Sequence, residues 1–88
     1  MKVLKKRKIL GRYIVADPNI CHGKPTFIGS RVMVWQILDA VADGDPWDKI
    51  VANWPGAVCK EAIAEALQLA RQCFVDHATE YAQKREPK

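Results

Sequence analysis

The hydrophobic period of the chain changes at Val34, and this change constrains the fold more than any other feature. From residue 34 to 42 the apolar residues recur at helical spacing, on one face of a helix. Before Val34 they form two short β-type runs, residues 13–16 and 26–28, separated by turns rich in proline and glycine. The sequence therefore predicts a short N-terminal β-hairpin or arm, followed by helices.

Turn and capping residues divide the second part into three predicted helices. The first helix ends at Asp43-Gly44, where glycine suits a left-handed C-cap. The second begins with Asp45 as N-cap and Pro46 at the first helical position, and it ends at Pro55-Gly56. The third is predicted over residues 58–83, and its apolar stripe continues beyond about Arg71, where few internal partners remain. We therefore expect its second half to form a protein interface.

The predicted fold class is mostly α. A short N-terminal β-hairpin or arm precedes a three-helix bundle of helix-turn-helix type, winged-helix or homeodomain-like, with a long C-terminal helix. The 88 residues of the chain allow one domain. The expected organisation is a basic arm over residues 1–12, a single domain over 13–83 and a polar tail over 84–88. A domain of this size buries a modest core, which favours oligomerisation.

The net charge of +4 is concentrated at the N-terminus. Residues 1–12 hold six of the 14 basic residues and no acid, whereas the rest of the chain carries 8 basic and 10 acidic residues. A basic arm suggests an anionic partner such as double-stranded DNA, although it is equally compatible with a solubilising tail. The residues predicted to contact DNA are Lys5, Lys6, Arg7, Lys8, Arg12, Lys60 and Gln68.

The helical face is ambiguous as a DNA reader. Lys60 and Gln68 lie on the outer face of the third predicted helix and could contact DNA, but Glu61 and Glu65 would face phosphates unfavourably. A second helix-turn-helix frame, over residues 36–54, presents a reading helix that is not basic either. A helical domain that binds only protein remains the alternative.

Other classes of site are disfavoured. The Gly23-Lys24 pair fails as a phosphate-binding P-loop because prolines occupy two of the positions that the motif requires. The adjacent Cys21 and His22 are poorly spaced to share one metal ion with Cys73 and His77. No catalytic constellation is visible, so we expect no enzyme activity, no cofactor and no small-molecule substrate. The odd cysteine count, the lack of a signal peptide and the lack of a membrane span predict a cytoplasmic protein.

An ordered set of short motifs runs from about residue 13 to residue 70. The set resembles the small prokaryotic family catalogued as domain of unknown function 433. The matching pieces are His22-Gly23-Lys24-Pro25, Phe27-Ile28, Gly29-Ser30-Arg31, Val34-Trp35, Gly44-Asp45-Pro46, Trp54-Pro55 and Ala66-Leu67. The chain departs from the family pattern at the start of the third helix, where residues 57–59 replace the usual Leu-Thr.

The resemblance implies an antitoxin-type helix-turn-helix module, often paired with a PIN-like ribonuclease toxin. It implies a homodimer, DNA binding in autoregulation and a toxin-binding segment. A basic tail that includes Lys84 and Arg85 is a candidate to enter the acidic metal site of such a toxin. The alternative is a dimeric protein-interaction module without DNA binding. The residues assigned to the dimer or toxin interface are Phe74, His77, Tyr81 and Arg85.

The stretch from His22 to Arg31 is interpreted as architecture. Gly23 and Pro25 would shape the bend, Ser30 would cap the first helix, and Arg31 would pair with an acid such as Asp17 or with a dimer mate. A functional hypothesis stands beside it, in which His22, Lys24 or Arg31 contacts phosphates or a toxin. The residues assigned to the structural motif are His22, Gly23, Lys24, Pro25, Gly29, Ser30, Arg31, Gly44 and Pro46.

Overall fold

The computed structural model describes residues 6–85 and begins with a small antiparallel sheet. Its strands β1 (Lys8–Ile9), β2 (Ile14–Ala16) and β3 (Pro25–Phe27) lie in that order. The predicted hairpin corresponds to β2 and β3, in which Ile14 lies opposite Phe27. The predicted separate arm needs a correction, because Lys8 pairs with Ala16 and so belongs to the sheet. The sheet gains this third strand through a tight turn, in which the Leu10 N–H donates to the Ile14 carbonyl over 2.9 Å.

Helix α1 (Val34–Ala42) has the bounds that the hydrophobic period predicts. Two residues after its end, Gly44 has a left-handed backbone with φ +87°. The Gly44 N–H donates to the Val41 carbonyl over 3.0 Å, and the Asp45 N–H donates to the Ala40 carbonyl over 3.1 Å. These two bonds satisfy the last carbonyls of the helix in a Schellman motif. The expected role of Gly44 as a C-cap residue therefore agrees with the geometry.

Helix α2 (Trp47–Asn53) begins one residue later than expected. Pro46 has φ −62° and ψ 145°, so it is the extended N-cap and not the first helical residue. No side chain caps the helix, and the Asp45 carboxylate instead lies 3.8 Å from the Lys49 ammonium. The predicted Asp45 cap is therefore wrong. The Schellman motif already uses the Asp45 N–H to close α1, which makes Asp45 part of the preceding turn.

The predicted third helix is two helices, α3 (Lys60–Asp76) and α4 (Ala78–Arg85). His77 interrupts them with φ −121° and ψ 24°. The buried residues of α3 end at Ala66, and every side chain from 71 to 80 is exposed. Packing therefore does not hold this segment straight, and the sequence Val75-Asp76-His77 has weak helix propensity. The prediction of one continuous helix over residues 58–83 is wrong for this reason.

The core lies between one face of the sheet and helices α1, α2 and α3. The two strands contribute Ile14 and Phe27, and the three helices contribute Ile37, Ile50 and Ile63, all at most 1% exposed. Ala62 and Ala66 keep the inner face of α3 small, which lets the other elements approach it closely. The protein is thus mostly helical, with a small N-terminal sheet. Within residues 6–85, no helix combines the length and the apolar character needed to cross a membrane.

Candidate functional site

A shallow basic cleft lies between the N-terminal strand and the turn that follows β2. Three consecutive cations that lead into and start β1 form one wall, and the Cys21–Gly23 turn contributes to the other. The open volume is about 800 Å³. Pairing of Lys8 with Ala16 places the cations beside the chain that leads into the turn. The lining residues are Lys6, Arg7, Lys8, Ala16, Pro18, His22 and Gly23.

The Cys21–Gly23 turn has three consecutive residues in the left-handed region. Their φ angles are +50° for Cys21, +59° for His22 and +84° for Gly23. Glycine adopts this conformation freely, but for Cys21 and His22 it costs roughly 1–2 kcal/mol each. Hydrogen bonds hold the turn: the Gly23 N–H donates to the Ile20 carbonyl over 3.0 Å, and the Lys24 N–H donates to the Cys21 carbonyl over 3.2 Å. The result is an exposed His22 side chain at the cleft.

Neighbouring segments fasten both sides of this turn. On the N-terminal side, Asp17 accepts the Asn19 N–H through its carboxylate and the Ile20 N–H through its carbonyl, each over 2.9 Å. On the other side, the Cys21 thiol lies 3.6 Å from the Arg31 carbonyl, to which it donates a weak hydrogen bond. The strained conformation is therefore held by its surroundings, as strained residues at functional sites usually are.

Charge pairing distinguishes the cleft from the helical surface. Lys60 donates to Asp48 over 2.6 Å, and this hydrogen bond, together with the opposite charge, raises the pKa of Lys60. Lys49 likewise lies near Asp45. By contrast, none of the three cleft cations forms an ion pair with a carboxylate of the described residues. The uncompensated positive charge lies at the sheet and not at the N-terminal ends of α2 and α3.

Glu65 fastens the chain beside the cleft to helix α3. Its carboxylate accepts the Arg12 N–H over 2.9 Å and the Tyr13 N–H over 2.8 Å. Gly11 leaves room for it, because a Cβ at this position would lie less than 3.0 Å from the carboxylate. The expectation that Glu65 faces outward toward phosphates is therefore wrong. The contact spans more than fifty positions of sequence, and no local pattern reveals it.

The predicted DNA-contacting residues divide into two groups. Lys6, Arg7 and Lys8 line the cleft, whereas Lys60 and Gln68 are exposed on α3 and do not. Arg12 places its guanidinium 5.6 Å from the centre of the Tyr13 ring, a cation–π contact. Lys5 lies outside the described residues. The sequence therefore identifies the cations, but the structure alone joins them to His22.

The second half of the motif forms the turn into α1. Gly29 has φ +83°, and Ser30 follows it with its hydroxyl donating to the Phe27 carbonyl over 2.9 Å. The same hydroxyl accepts the Val32 N–H over 3.1 Å. Ser30 therefore organises the turn, and the prediction that it caps the first helix is wrong. The side-chain cap comes from Gln36, which accepts the Met33 N–H over 2.9 Å.

The exposed cations of the motif have no acidic partner. Lys24 and Arg31 are both exposed, and Pro25 between them opens β3. The expected pairing of Arg31 with Asp17 does not form, and no other carboxylate of the described residues lies within ion-pair distance of Arg31. Neither cation belongs to the cleft lining.

Two of the C-terminal residues assigned to an interface, Phe74 and His77, are exposed and lie beyond Ala66, the last buried residue of α3. Phe74 is 60% and Val75 62% exposed. The His77 ring and the Glu80 carboxylate form a hydrogen bond across the break between α3 and α4. The side chains of Tyr81 and Arg85 lie outside the described part of the chain.

The residues considered for a metal site are not brought together as a cluster. Across the described residues, no group of three or more histidine, cysteine or acidic side chains is placed to hold a metal ion. Cys21 and Cys59 form no disulfide bond within the described residues. The cleft is accordingly the feature of the described chain with the clearest chemical capacity, namely to attract anions.

Comparison with known proteins gives one match. A family model described as "Protein of unknown function (DUF433)" matches residues 14–70, well over half of the chain. No curated protein and no solved structure shows significant similarity. The matched region runs from β2 through most of α3, so it includes the Cys21–Gly23 turn but not the cations of β1.

Proposed function

The chain belongs to the family described as Protein of unknown function (DUF433), and from this premise we propose that it is an antitoxin-like, DNA-binding regulator. In this proposal it acts as a homodimer, binds a PIN-like ribonuclease toxin and binds double-stranded DNA near its own promoter. Its three packed helices would serve as a helix-turn-helix of winged-helix or homeodomain-like type. The observation that carries the proposal is the basic cleft, in which Lys6, Arg7 and Lys8 lie beside His22 without an ion pair to any described carboxylate.

The distribution of charge supports the DNA-binding half. A DNA-binding protein gains affinity by neutralising phosphates and releasing their counterions. On the helices, Lys49 and Lys60 already have carboxylate partners, so a phosphate must compete with Asp45 or Asp48. The cleft cations face no such competition from the described residues. The N-terminal sheet would therefore provide the main phosphate contacts, and α3 would contribute less.

The exposed C-terminal helices support the partner-binding half. From residue 71 to 80 every side chain is exposed, and Phe74 and Val75 add apolar surface. Helical surface of this kind is typical of a docking face. A toxin or a second copy of the chain would pack along α3 and α4. The basic residues at the end of the chain would then lie near the acidic metal site that a PIN-like toxin provides.

A co-expression experiment tests both halves. The chain, carrying the only tag, is produced with the product of the neighbouring reading frame, and the pair is purified and mixed with duplex DNA from its own upstream region. We expect the neighbouring protein to co-purify with the chain and to arrest growth when it is expressed alone. We also expect the purified complex to retard the upstream duplex in a gel. Co-purification without DNA retardation would remove the DNA-binding half, and a harmless, unbound neighbour would remove the toxin-binding half.

A second candidate function is a dimeric protein-interaction module that does not bind DNA. The pairing of Lys60 with Asp48 favours it, because this pair neutralises Lys60 and leaves the carboxylate of Glu61 as a negative charge in the first turn of α3. Exposed Trp35, at 51%, would add to an apolar interface. The module would form a complex with its neighbour or with itself, and no duplex DNA would bind at physiological salt.

A further inference from the structure

We infer that the cleft between β1 and the Cys21–Gly23 turn is a specific phosphate-binding site in which His22 contacts the anion together with Lys6 and Arg7. The inference deepens the proposed function, since it rests on DNA binding for the identity of the anion as a backbone phosphate. A free phosphate or a nucleotide would present the same chemistry. The new element is His22, which joins the family motif to the basic segment as a single site.

The composition of the cleft selects for phosphate. Its lining combines the point charge of lysine, the planar fork of arginine and the ring nitrogens of a histidine, and none of the described lining residues is acidic. Arginine and lysine provide charge-assisted hydrogen bonds to phosphate oxygens, and arginine can bind two of them at once. The described residues at the start of the chain, 6 to 10, are all exposed, so an extended polyanion can reach them. The open shape suits a backbone phosphate better than it suits an enclosed small molecule.

The backbone of the turn provides a second, independent observation. A simple bend would be built at lower cost with glycine or asparagine at positions 21 and 22. The chain instead has Cys21 and His22 in the left-handed region, followed by Gly23. This conformation places His22, an exposed residue, among the residues that line the cleft. Strained residues held in place by their surroundings are frequent where a side chain must be aimed at a ligand.

The alternative reading of the same residues is a diffuse field of positive charge. If only such a field attracts DNA, removing any two cations from the surface should weaken DNA binding by the same amount. A specific site predicts that the loss of DNA affinity depends on which cations are removed. It also predicts a loss of affinity in His22→Asn, although this replacement leaves the arginine and lysine charges unchanged. A comparison at equal net charge separates the two readings.

The first experimental arm measures duplex binding by fluorescence anisotropy with the full-length protein and a 5′-labelled duplex of arbitrary sequence. The cleft variant is Lys6→Gln/Arg7→Gln, and the charge-matched control is Lys49→Gln/Arg71→Gln. We expect the cleft variant to lose at least about tenfold in affinity and the control to lose less than about threefold, because the cleft cations make the main phosphate contacts. His22→Asn should lose affinity by about threefold or more, whereas Lys24→Asn should not.

The second arm titrates the isotopically labelled protein with inorganic phosphate and follows the backbone amides by NMR. Saturable shifts at His22, Gly23 and Lys24 that disappear in the Lys6→Gln/Arg7→Gln variant would support the site. If these shifts occur but no duplex binds, the anion is a free phosphate group, and the DNA-binding half of the proposed function fails while the site stands. Equal losses of DNA affinity in the cleft and control variants, or no phosphate-dependent shift in the turn, would overturn the inference.

Discussion

Three single residues at or against the N-terminal sheet, each in a different chemical situation, affect the stability of the molecule in different directions. Glu65 accepts two backbone N–H groups from the chain that joins β1 and β2. His22 tolerates a left-handed backbone at the cleft. Thr26 is fully buried between its neighbours on β3, and its hydroxyl has no hydrogen-bond partner among the described residues. Each of the three makes a separate, measurable contribution to stability.

Replacing Glu65 with alanine should lower the free energy of unfolding by about 2 kcal/mol. Two hydrogen bonds to a charged group are lost, and the Tyr13 N–H group loses its partner in a half-buried setting, whereas the Arg12 N–H group is exposed and can turn to water. Gln68→Ala on the same helix is the control, since Gln68 is exposed, and it should change stability by less than about 0.5 kcal/mol. Urea denaturation followed by tryptophan fluorescence measures both. Equal stability of the two variants would show that Glu65 is not a fastening residue.

Replacing His22 with asparagine should leave the free energy of unfolding unchanged or raise it by up to about 1 kcal/mol. Asparagine tolerates the left-handed region better than histidine does, so the change relieves strain. Lys24→Asn, in ordinary extended backbone, gives no such relief and serves as the matched control. A clear loss of stability in His22→Asn alone would mean that the imidazole supports the fold and is not kept for binding.

Replacing Thr26 with valine should raise the free energy of unfolding by about 1 kcal/mol. Valine has nearly the same shape and removes a buried hydroxyl that forms no hydrogen bond in the described structure. Valine also suits a strand. The comparison variant Thr26→Ser keeps the hydroxyl and loses a methyl group, so it should be less stable than the wild type. A destabilised Thr26→Val variant would reveal a hydrogen bond that the hydroxyl makes with water or another group.

At the scale of elements, the break between α3 and α4 separates a part of the chain that builds the core from a part that does not. The last buried residue of α3 is Ala66, with Leu67 and Leu69 packed against the core. The helix continues to Asp76 without further burial. This arrangement leaves the side chains of residues 71–80 exposed on the surface, where a partner can reach them.

Deleting residues 77–88 should leave a folded domain whose free energy of unfolding falls by no more than about 1 kcal/mol. The described side chains of the deleted segment are exposed and take no part in the hydrophobic core, and a surface helix with few internal contacts contributes little to global stability. The truncated chain should nevertheless fail to co-purify the protein that the neighbouring reading frame encodes. Circular dichroism and urea denaturation measure the first effect. An unfolded truncated chain would show that α4 supports the core.

At the scale of the whole molecule, the sequence predicts what depends on local pattern. The bounds of α1 follow from its hydrophobic period, and the buried positions Ile37, Ile50 and Ile63 follow from helical spacing. The start of α2 is missed by one residue because Asp45 belongs to the turn that closes α1. The break at His77 is missed because an apolar stripe continues in sequence after its packing partners end.

The candidate site is only half predictable for a related reason. The basic run over residues 5–8 and the His22-Gly23 motif are each visible in the sequence. Their meeting depends on the pairing of β1 with β2 and on the left-handed turn at Cys21, neither of which has a local signal. Glu65 is hidden in the same way, since it joins two segments far apart in the chain.

The most direct test of the account is the salt dependence of DNA binding by the wild-type protein. Affinity for a duplex is measured from about 50 to 200 mM salt, where log K falls by about 0.9 for each phosphate neutralised. If Lys6 and Arg7 share one phosphate and Lys8 neutralises a second, the slope should be about −1.8 or steeper. Absence of binding at the low end of this range, or a slope near zero, would contradict the claim that the basic cleft binds the DNA backbone.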